Sequence, residues 1–224
     1  MGKLILVPTP VGNLGDISLR SIETLKSVDV ILAEDTRKTG ILLRHYNISK
    51  KLLSYHQHNE HSKVDALADR IVKGETFALV TNAGTPGISD PGFLLVRECI
   101  KKNIEIECLP GAVAFIPALV SSGLPCDRFC FEGFLPHKKG RNKRLKDLSE
   151  EKRTMVFYES PFRLPRLLRE LAEVMGCNRQ ASVSRELTKI YEETLRGSLE
   201  ELLNYFQEKT TKGEIVVIVS GKDE

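Results

Sequence analysis

Three segments of this sequence concentrate glycine and proline: Pro8-Thr-Pro-Val-Gly-Asn13, Asn82-Ala-Gly-Thr-Pro-Gly-Ile-Ser-Asp-Pro-Gly92 and Pro110-Gly-Ala-Val113. Glycine lets a ligand approach backbone atoms, and proline stiffens the loop that presents them. One such loop is ordinarily a turn. Three of them, each following a short apolar run, point to a set of ligand-binding loops, and the central one is longer than turning requires. None contains G-x-G-x-x-G or G-x-x-x-x-G-K-[ST], which argues against an ordinary dinucleotide fold and against P-loop phosphate chemistry. The sequence also lacks a G-x-S-x-G elbow, which argues against an α/β-hydrolase.

Two further clusters invite chemical readings. His56-Gln-His-Asn-Glu-His61 holds three imidazoles and a carboxylate. Its spacing matches no standard zinc site, so no metal is expected, and a polar loop or an RNA-facing loop remains. In the latter, Tyr55 and His56 would stack on a flipped base. The run from His137 to Lys146 contains Lys138, Lys139, Arg141, Lys143, Arg144 and Lys146 with no acid. It is either a solvated face or a phosphate-binding surface. In the second case, six phosphate contacts give a salt slope of about −4 on single-stranded RNA.

These residues need elements to position them. Strands are expected at 3–7, 28–33, 52–55, 76–81 and 104–109. Helices are expected at 18–26, 36–46, 62–73, 93–102 and 112–122. Apolar runs with helical spacing between them make a parallel sheet covered by helices. Ligands in such sheets bind outside the carboxyl ends of the strands, where the three loops fall. After a linker at 122–127, further strands are expected at 128–134, 154–158, 181–185, 190–195 and 214–220, with helices at 162–175 and 199–209. The expectation is two α/β domains, 1–122 and 123–224.

Composition sets the outer bounds. The 224 residues are 41% hydrophobic and 28% charged, as in ordinary globular chains. Thirty-three basic against 30 acidic residues leave +3, too little to imply a nucleic-acid partner by itself. The amino-terminal apolar run is too short for a secretion signal, Leu6 stands where a myristoylation signal needs Ser or Thr, and no run approaches a membrane span. The five cysteines form no Cys-x-x-Cys pair, which fits a reducing cytoplasm. With no Trp, stacking falls to Tyr, Phe or His.

Six strings recur in order: Ala33-Glu-Asp-Thr-Arg37, Ala83-Gly-Thr-Pro-Gly-Ile-Ser-Asp-Pro91, Phe131-Glu-Gly-Phe-Leu-Pro136, Phe157-Tyr-Glu-Ser-Pro161, Ser184-Arg-Glu-Leu-Thr188 and Lys212-Gly-Glu-Ile215. Together they resemble the bacterial small-subunit rRNA methyltransferase I family, cytidine 2′-O-methyltransferases of the tetrapyrrole methylase superfamily, along nearly the whole chain. The resemblance implies two α/β domains with S-adenosyl-L-methionine in the cleft between them. It implies cofactor contacts from Pro8, Pro10, Val11 and Gly12, from Gly84, Thr85, Pro86, Gly87, Ile88 and Ser89, and from Gly111, Ala112 and Val113. From the second domain it implies Phe157, Tyr158, Ser184, Glu214 and Ile215. Asn82, Ala112 and Phe162 stand where Asp, Pro and His are common in the family. A homodimer acting on 16S rRNA of the 30S subunit, in the decoding region, follows from the same resemblance.

For such a reaction the candidate catalytic groups are Asp35 with Arg37, then Glu186 with Arg185, then Glu159. They would orient the ribose hydroxyl or accept its proton. Asp35 could equally cap the helix that follows, and Arg185 with Glu186 could be a plain ion pair. A corrin or porphyrin methylase, and an RNA-binding assembly factor without activity, are the competing readings. The basic run separates the first from the leading one, and cofactor binding separates the second.

Overall fold

Apolar tetrapeptides alternate with amphipathic helices through the first half, and a computed structural model describing residues 2–222 shows how they assemble. The order is β1 (Lys3–Leu6), α1 (Leu19–Ser27), β2 (Val30–Ala33), α2 (Thr36–His45), β3 (Lys51–Ser54), α3 (Glu60–Val72), β4 (Phe77–Val80), α4 (Phe93–Lys101) and β5 (Glu105–Cys108). The strands form one parallel sheet in the order β3-β2-β4-β1-β5. Alternate side chains serve opposite faces. Leu4 and Leu6 pack with Leu67 and Ile71 of α3 and Leu95 of α4, while Ile5 and Val7 pack with Leu25 of α1 and Leu43 of α2. Every residue of β2 and β4 is therefore buried, as a sheet covered on both faces requires.

The second half continues with α5 (Phe115–Ser122), β6 (Phe129–Phe134), α6 (Arg141–Ser149), β7 (Thr154–Glu159), α7 (Leu164–Met175), β8 (Gln180–Arg185), β9 (Glu193–Ser198), α8 (Leu199–Gln207) and β10 (Ile215–Val219). Its sheet order is β6-β7-β10-β8-β9, with β6 and β7 parallel and the other pairings antiparallel. Helices α6, α7 and α8 cover one face with Leu145, Leu148, Leu167, Leu171, Leu202 and Phe206. On the other face α5 sets Ala118 and Leu119 against Val156, Val216 and Ile218. That packing assigns α5 to the second of two compact units, Met1–Val113 and Ala114–Glu224. The division so drawn comes one helix earlier than the break expected from composition. Among the described residues no helix is long and apolar enough to cross a membrane.

Two elements differ from expectation. β9 begins at Glu193, because Ile190 and Tyr191 sit 95% and 73% exposed in the turn before it. The basic run contributes a helix, α6, whose buried residues Arg141, Leu145 and Leu148 follow helical spacing. Arg141 is thereby corrected as an RNA contact. It is 2% exposed, its Nε donates to Glu170 Oε2 at 2.7 Å, and its Nη1 donates to the Pro136 carbonyl at 3.0 Å. Arg144 is also not free, since its guanidinium engages both oxygens of Glu132. Removing one partner of a buried pair strands the other charge. Arg166 still compensates Glu170 at 2.8 Å, so Arg141→Ala should destabilise by about 3 kcal/mol, at the low end for such losses. Lys138→Ala should move stability by less than about 0.5 kcal/mol. Urea unfolding midpoints at constant m-value check both.

Candidate functional site

All five carboxyl ends of the first sheet lie on one edge. The chain leaves β1 for β2 and β4 for β5 in opposite directions, on opposite faces of the sheet. These neighbours form a topological switch point, where α/β sheets hold ligands. Their loops are joined. Thr9 N donates to the Gly84 carbonyl and Gly84 N to the Thr9 carbonyl, each at 2.9 Å, and Thr9 Oγ1 donates to the Thr81 carbonyl at 3.1 Å. The loop after β5 joins them: Thr85 Oγ1 donates to the Ala112 carbonyl at 2.9 Å. Gly111 lies so close to Pro8 that a Cβ there would stand 2.6 Å from the proline ring.

Pro8, Pro10, Val11, Gly12, Gly84, Thr85, Pro86, Gly87, Ile88, Ser89, Gly111, Ala112 and Val113 thus belong to one platform. Within it Gly12, Gly87, Ile88, Ser89 and Gly111 are exposed. Ser89 has φ 61° without being glycine. Such a conformation costs about 1–3 kcal/mol and persists where the surroundings impose it. The loop after β2 joins the same edge, with Glu34 Oε2 accepting from Thr81 Oγ1 at 3.1 Å and from Asn82 N at 3.4 Å. Asn82 Oδ1 is buried without a partner.

Asp35 is the N-cap of α2, its carboxylate accepting from Arg37 N at 2.9 Å. The Arg37 side chain clasps the same carboxylate and holds its pKa down at about 2. Capping and pairing with Arg37 thus coexist at this residue. At the end of β3, Tyr55 is corrected as a stacking residue: it is fully buried among Leu67, Leu95 and Phe77. His56 is partly exposed and tied to the amino-terminal turn of α3, its N–H donating to Asn59 Oδ1 at 2.9 Å.

In the second unit β6, β7 and β8 end where β10 and β9 begin. Ile215 stands opposite both Glu159 and Arg185, and Arg185 opposite Glu193. The edge therefore gathers Glu159, Arg185, Glu186 and Glu214. Arg185 and Glu186 do not pair with each other. Arg185 Nε bonds Glu193 at 2.7 Å, whereas Glu186 takes Lys189 at 2.8 Å, which lowers the carboxyl pKa. Lys189 also reaches Glu214 at 3.1 Å. Glu159 is buried, with Oε1 held by Arg163 and Ser160 N at 2.7 Å each and Oε2 without a partner.

Three second-unit residues expected at the cofactor have buried side chains. Phe157 is fully buried under α7, Ser184 is fully buried against Thr194, and Ile215 is 3% exposed in the same core as Phe157. Tyr158 is half-buried on the opposite face, and Glu214 is exposed. Glu34, Lys189 and Gly213 were not singled out from the sequence as site residues. Glu34 and Gly213 fall inside strings already noted and Lys189 directly follows one, and that proximity was the available signal.

Gly213 shows why one string has its form. It has φ 98°, and a Cβ there would overlap the Glu186 carboxylate. Gly213→Ala should cost about 1–3 kcal/mol from φ alone, with steric displacement of Glu186 added. Combining it with Glu186→Ala should recover the steric part. Denaturation of the two single variants and the double variant gives that coupling, and strictly additive losses would show no contact.

Residues 3–203 match the family model described as Tetrapyrrole (Corrin/Porphyrin) Methylases. A protein from Synechocystis named ribosomal RNA small subunit methyltransferase I is 50% identical over 99% of this chain and 80% of its own length. The Thermotoga maritima protein of the same name is 46% identical, with all of both chains covered. Among solved structures, uroporphyrin-III C-methyl transferase from Thermus thermophilus, complexed with S-adenyl homocysteine, superposes with a TM-score of 0.68. It is 17% identical and covers 97% of each chain, a likeness of fold. The parallel sheet with its bridged loops and the mixed sheet that follows are accordingly those of the tetrapyrrole methylase family, to which this chain belongs.

Proposed function

We propose that this protein is an S-adenosylmethionine-dependent methyltransferase that methylates the ribose 2′-oxygen of one cytidine in small-subunit rRNA. The observation that carries the reading is near-half identity, over essentially the whole chain, to proteins named for small-subunit rRNA methylation. The substrate is 16S rRNA within the 30S subunit, in its decoding region. The protein works as a homodimer in the cytoplasm, where its free cysteines stay reduced.

The first unit's loops suit the cofactor. A Cβ added at Gly87 meets no protein atom within 4 Å, so a ligand can lie against that backbone. The buried, unpartnered Asn82 Oδ1 is an acceptor for a ligand amine or hydroxyl. When bound, S-adenosylmethionine supplies a methyl group already activated on a sulfonium. This chain's own part would be to hold the ribose hydroxyl in line with that methyl group and to accept the hydroxyl proton, for which Glu159 is the candidate. Such a transfer needs in-line placement more than a strong base, and placement can supply about 7–11 kcal/mol of the barrier.

The candidate groups fit that division of labour. Held near pKa 2 by Arg37, Asp35 is a weak base, so its role is to orient charge and substrate. Glu186, lowered by Lys189, does the same on its own edge. Glu159 keeps one free oxygen and is the remaining proton acceptor.

Thirty-S subunits from a strain lacking the gene should gain one ribose methyl, at a single cytidine, when incubated with the protein and S-adenosylmethionine. Mass spectrometry of RNase fragments reads it, and subunits that stay unmethylated would sink the assignment. Separately, Gly87→Val should weaken S-adenosylmethionine binding by at least about 10-fold in calorimetry, because the side chain fills the approach over the backbone. Wild-type affinity in that variant would place the cofactor elsewhere.

A further inference from the structure

Strand β6 is an edge strand reading Phe129-Cys-Phe-Glu-Gly-Phe134. Strict alternation would put Phe129 and Phe131 on one face and Phe134 on the other. A β-bulge prevents this. Phe131 stands opposite Val156 and Gly133 opposite Phe157, so Glu132 is the extra residue, and Gly133 takes φ 57°. One extra residue reverses the facing of everything after it. Phe134 therefore stands opposite Tyr158, on the same face as Phe131.

The result is a continuous aromatic row. Ring centroids lie 4.7 Å apart for Phe115 and Phe131, 5.2 Å for Phe131 and Tyr158, and 5.7 Å for Phe134 and Tyr158. The row begins packed on α5 and ends in solvent, where Phe134 is 52% exposed. Burying a phenylalanine fully is worth about 1.5–3 kcal/mol, much of which this position forgoes. The Arg163 guanidinium lies 6.0 Å from the Phe134 ring. A groove of about 320 Å³ runs beside it, lined by Phe134, Leu135, Pro136, Lys143 and Arg144 together with the carboxylates of Glu132 and Asp147. Lys138, Lys139 and Lys143 are exposed and carry no ion pair among the described residues, unlike Arg141 and Arg144.

An exposed ring held by a bulge, next to uncompensated lysines, is the surface that single-stranded nucleic acid requires: rings stack on bases while cations meet phosphates. A protein partner of this chemistry would have to be strongly acidic around one apolar anchor, and RNA meets both demands in every nucleotide. We propose that Phe134 is a base-stacking platform for an unpaired nucleotide of the RNA substrate, with Lys138, Lys139 and Lys143 meeting its phosphates. The inference rests on the rRNA reading above and adds a positioning residue to it.

The absence of Trp makes a direct test available, because Phe134→Trp introduces a unique indole. Its emission should be quenched in a saturable way by a short oligocytidylate and by 30S subunits lacking the methyl. Phe134→Ala should weaken oligocytidylate binding by about 5- to 150-fold, the contribution of one stacked base. Phe134→Tyr should restore it, and S-adenosylmethionine affinity should stay at wild type in all three variants. RNA binding with unchanged indole emission, or wild-type RNA affinity in Phe134→Ala, would overturn the proposal. Conversion of a wild-type dimer into monomers by Phe134→Ala, measured by sedimentation, would also overturn it by assigning the ring to a protein interface. Failure of the wild-type protein to methylate 30S subunits would instead remove the reading on which the proposal stands.

Discussion

Two backbone hydrogen bonds, from Thr9 to Gly84 and back, hold the first unit's loops in one arrangement. Parallel strands end with their carbonyls pointing past the sheet, and an eleven-residue loop leaving such an end has large freedom to lose. The reciprocal pair removes much of it by making a short antiparallel bridge between two loops that follow parallel strands. The rest depends on that register. With Thr9 fixed, Pro8 lies against Gly111, where no other side chain fits, and with Gly84 fixed, Thr85 reaches the Ala112 carbonyl. The platform is stiff before any ligand arrives, and a preorganised site loses less on binding.

The second unit reaches comparable order by charge. Its edge uses half-buried ion pairs, Glu186 and Glu214 with Lys189, Arg185 with Glu193, and Glu159 with Arg163. Exposed pairs contribute little, but these are partly desolvated and anchored by backbone bonds, such as Glu214 N to Glu186 Oε1 at 3.0 Å. Glu186 and Thr188 hold φ near 51° and 66°, and Gly213 gives way beneath the carboxylate. Asn47 and Asn103, with similar φ, simply follow helices, where asparagine is ordinary. Strain in the turn after β8 has no such explanation.

What was legible in the sequence follows from what is local. Runs such as Val30–Ala33 and Phe77–Val80 could only be buried strands, and the glycine and proline between elements announced the loops. The observed and the expected folds agree because that alternation leaves few topologies. Helix α6 was hidden, because Lys143, Arg144 and Lys146 mask a stripe made by one arginine and two leucines. Helical spacing sets Arg141 on the stripe of Leu145 and Leu148, but nothing local shows that its charge is paired there, since its partner Glu170 is 29 residues away. Tyr55 misled for the converse reason. Adjacent to a polar histidine segment it reads as exposed, yet alternation along β3 points it into the core.

The basic run shows how a charge count changes once structure divides it. Arg141 and Arg144 are spent on Glu170 and Glu132, holding α6 to α7 and to the bulge of β6. Lys138, Lys139, Lys143 and Lys146 remain exposed, enough for a salt slope of about −3 on single-stranded RNA in place of −4. Phosphate contacts of that kind give affinity and register but read no position. Selecting one ribose demands something that meets a base, and Phe134 is an exposed ring beside these lysines. The same Glu132 that fixes Arg144 is the extra residue that turns Phe134 outward. One insertion in an edge strand therefore both pairs off a cation of the basic run and leaves an exposed ring beside the lysines that remain.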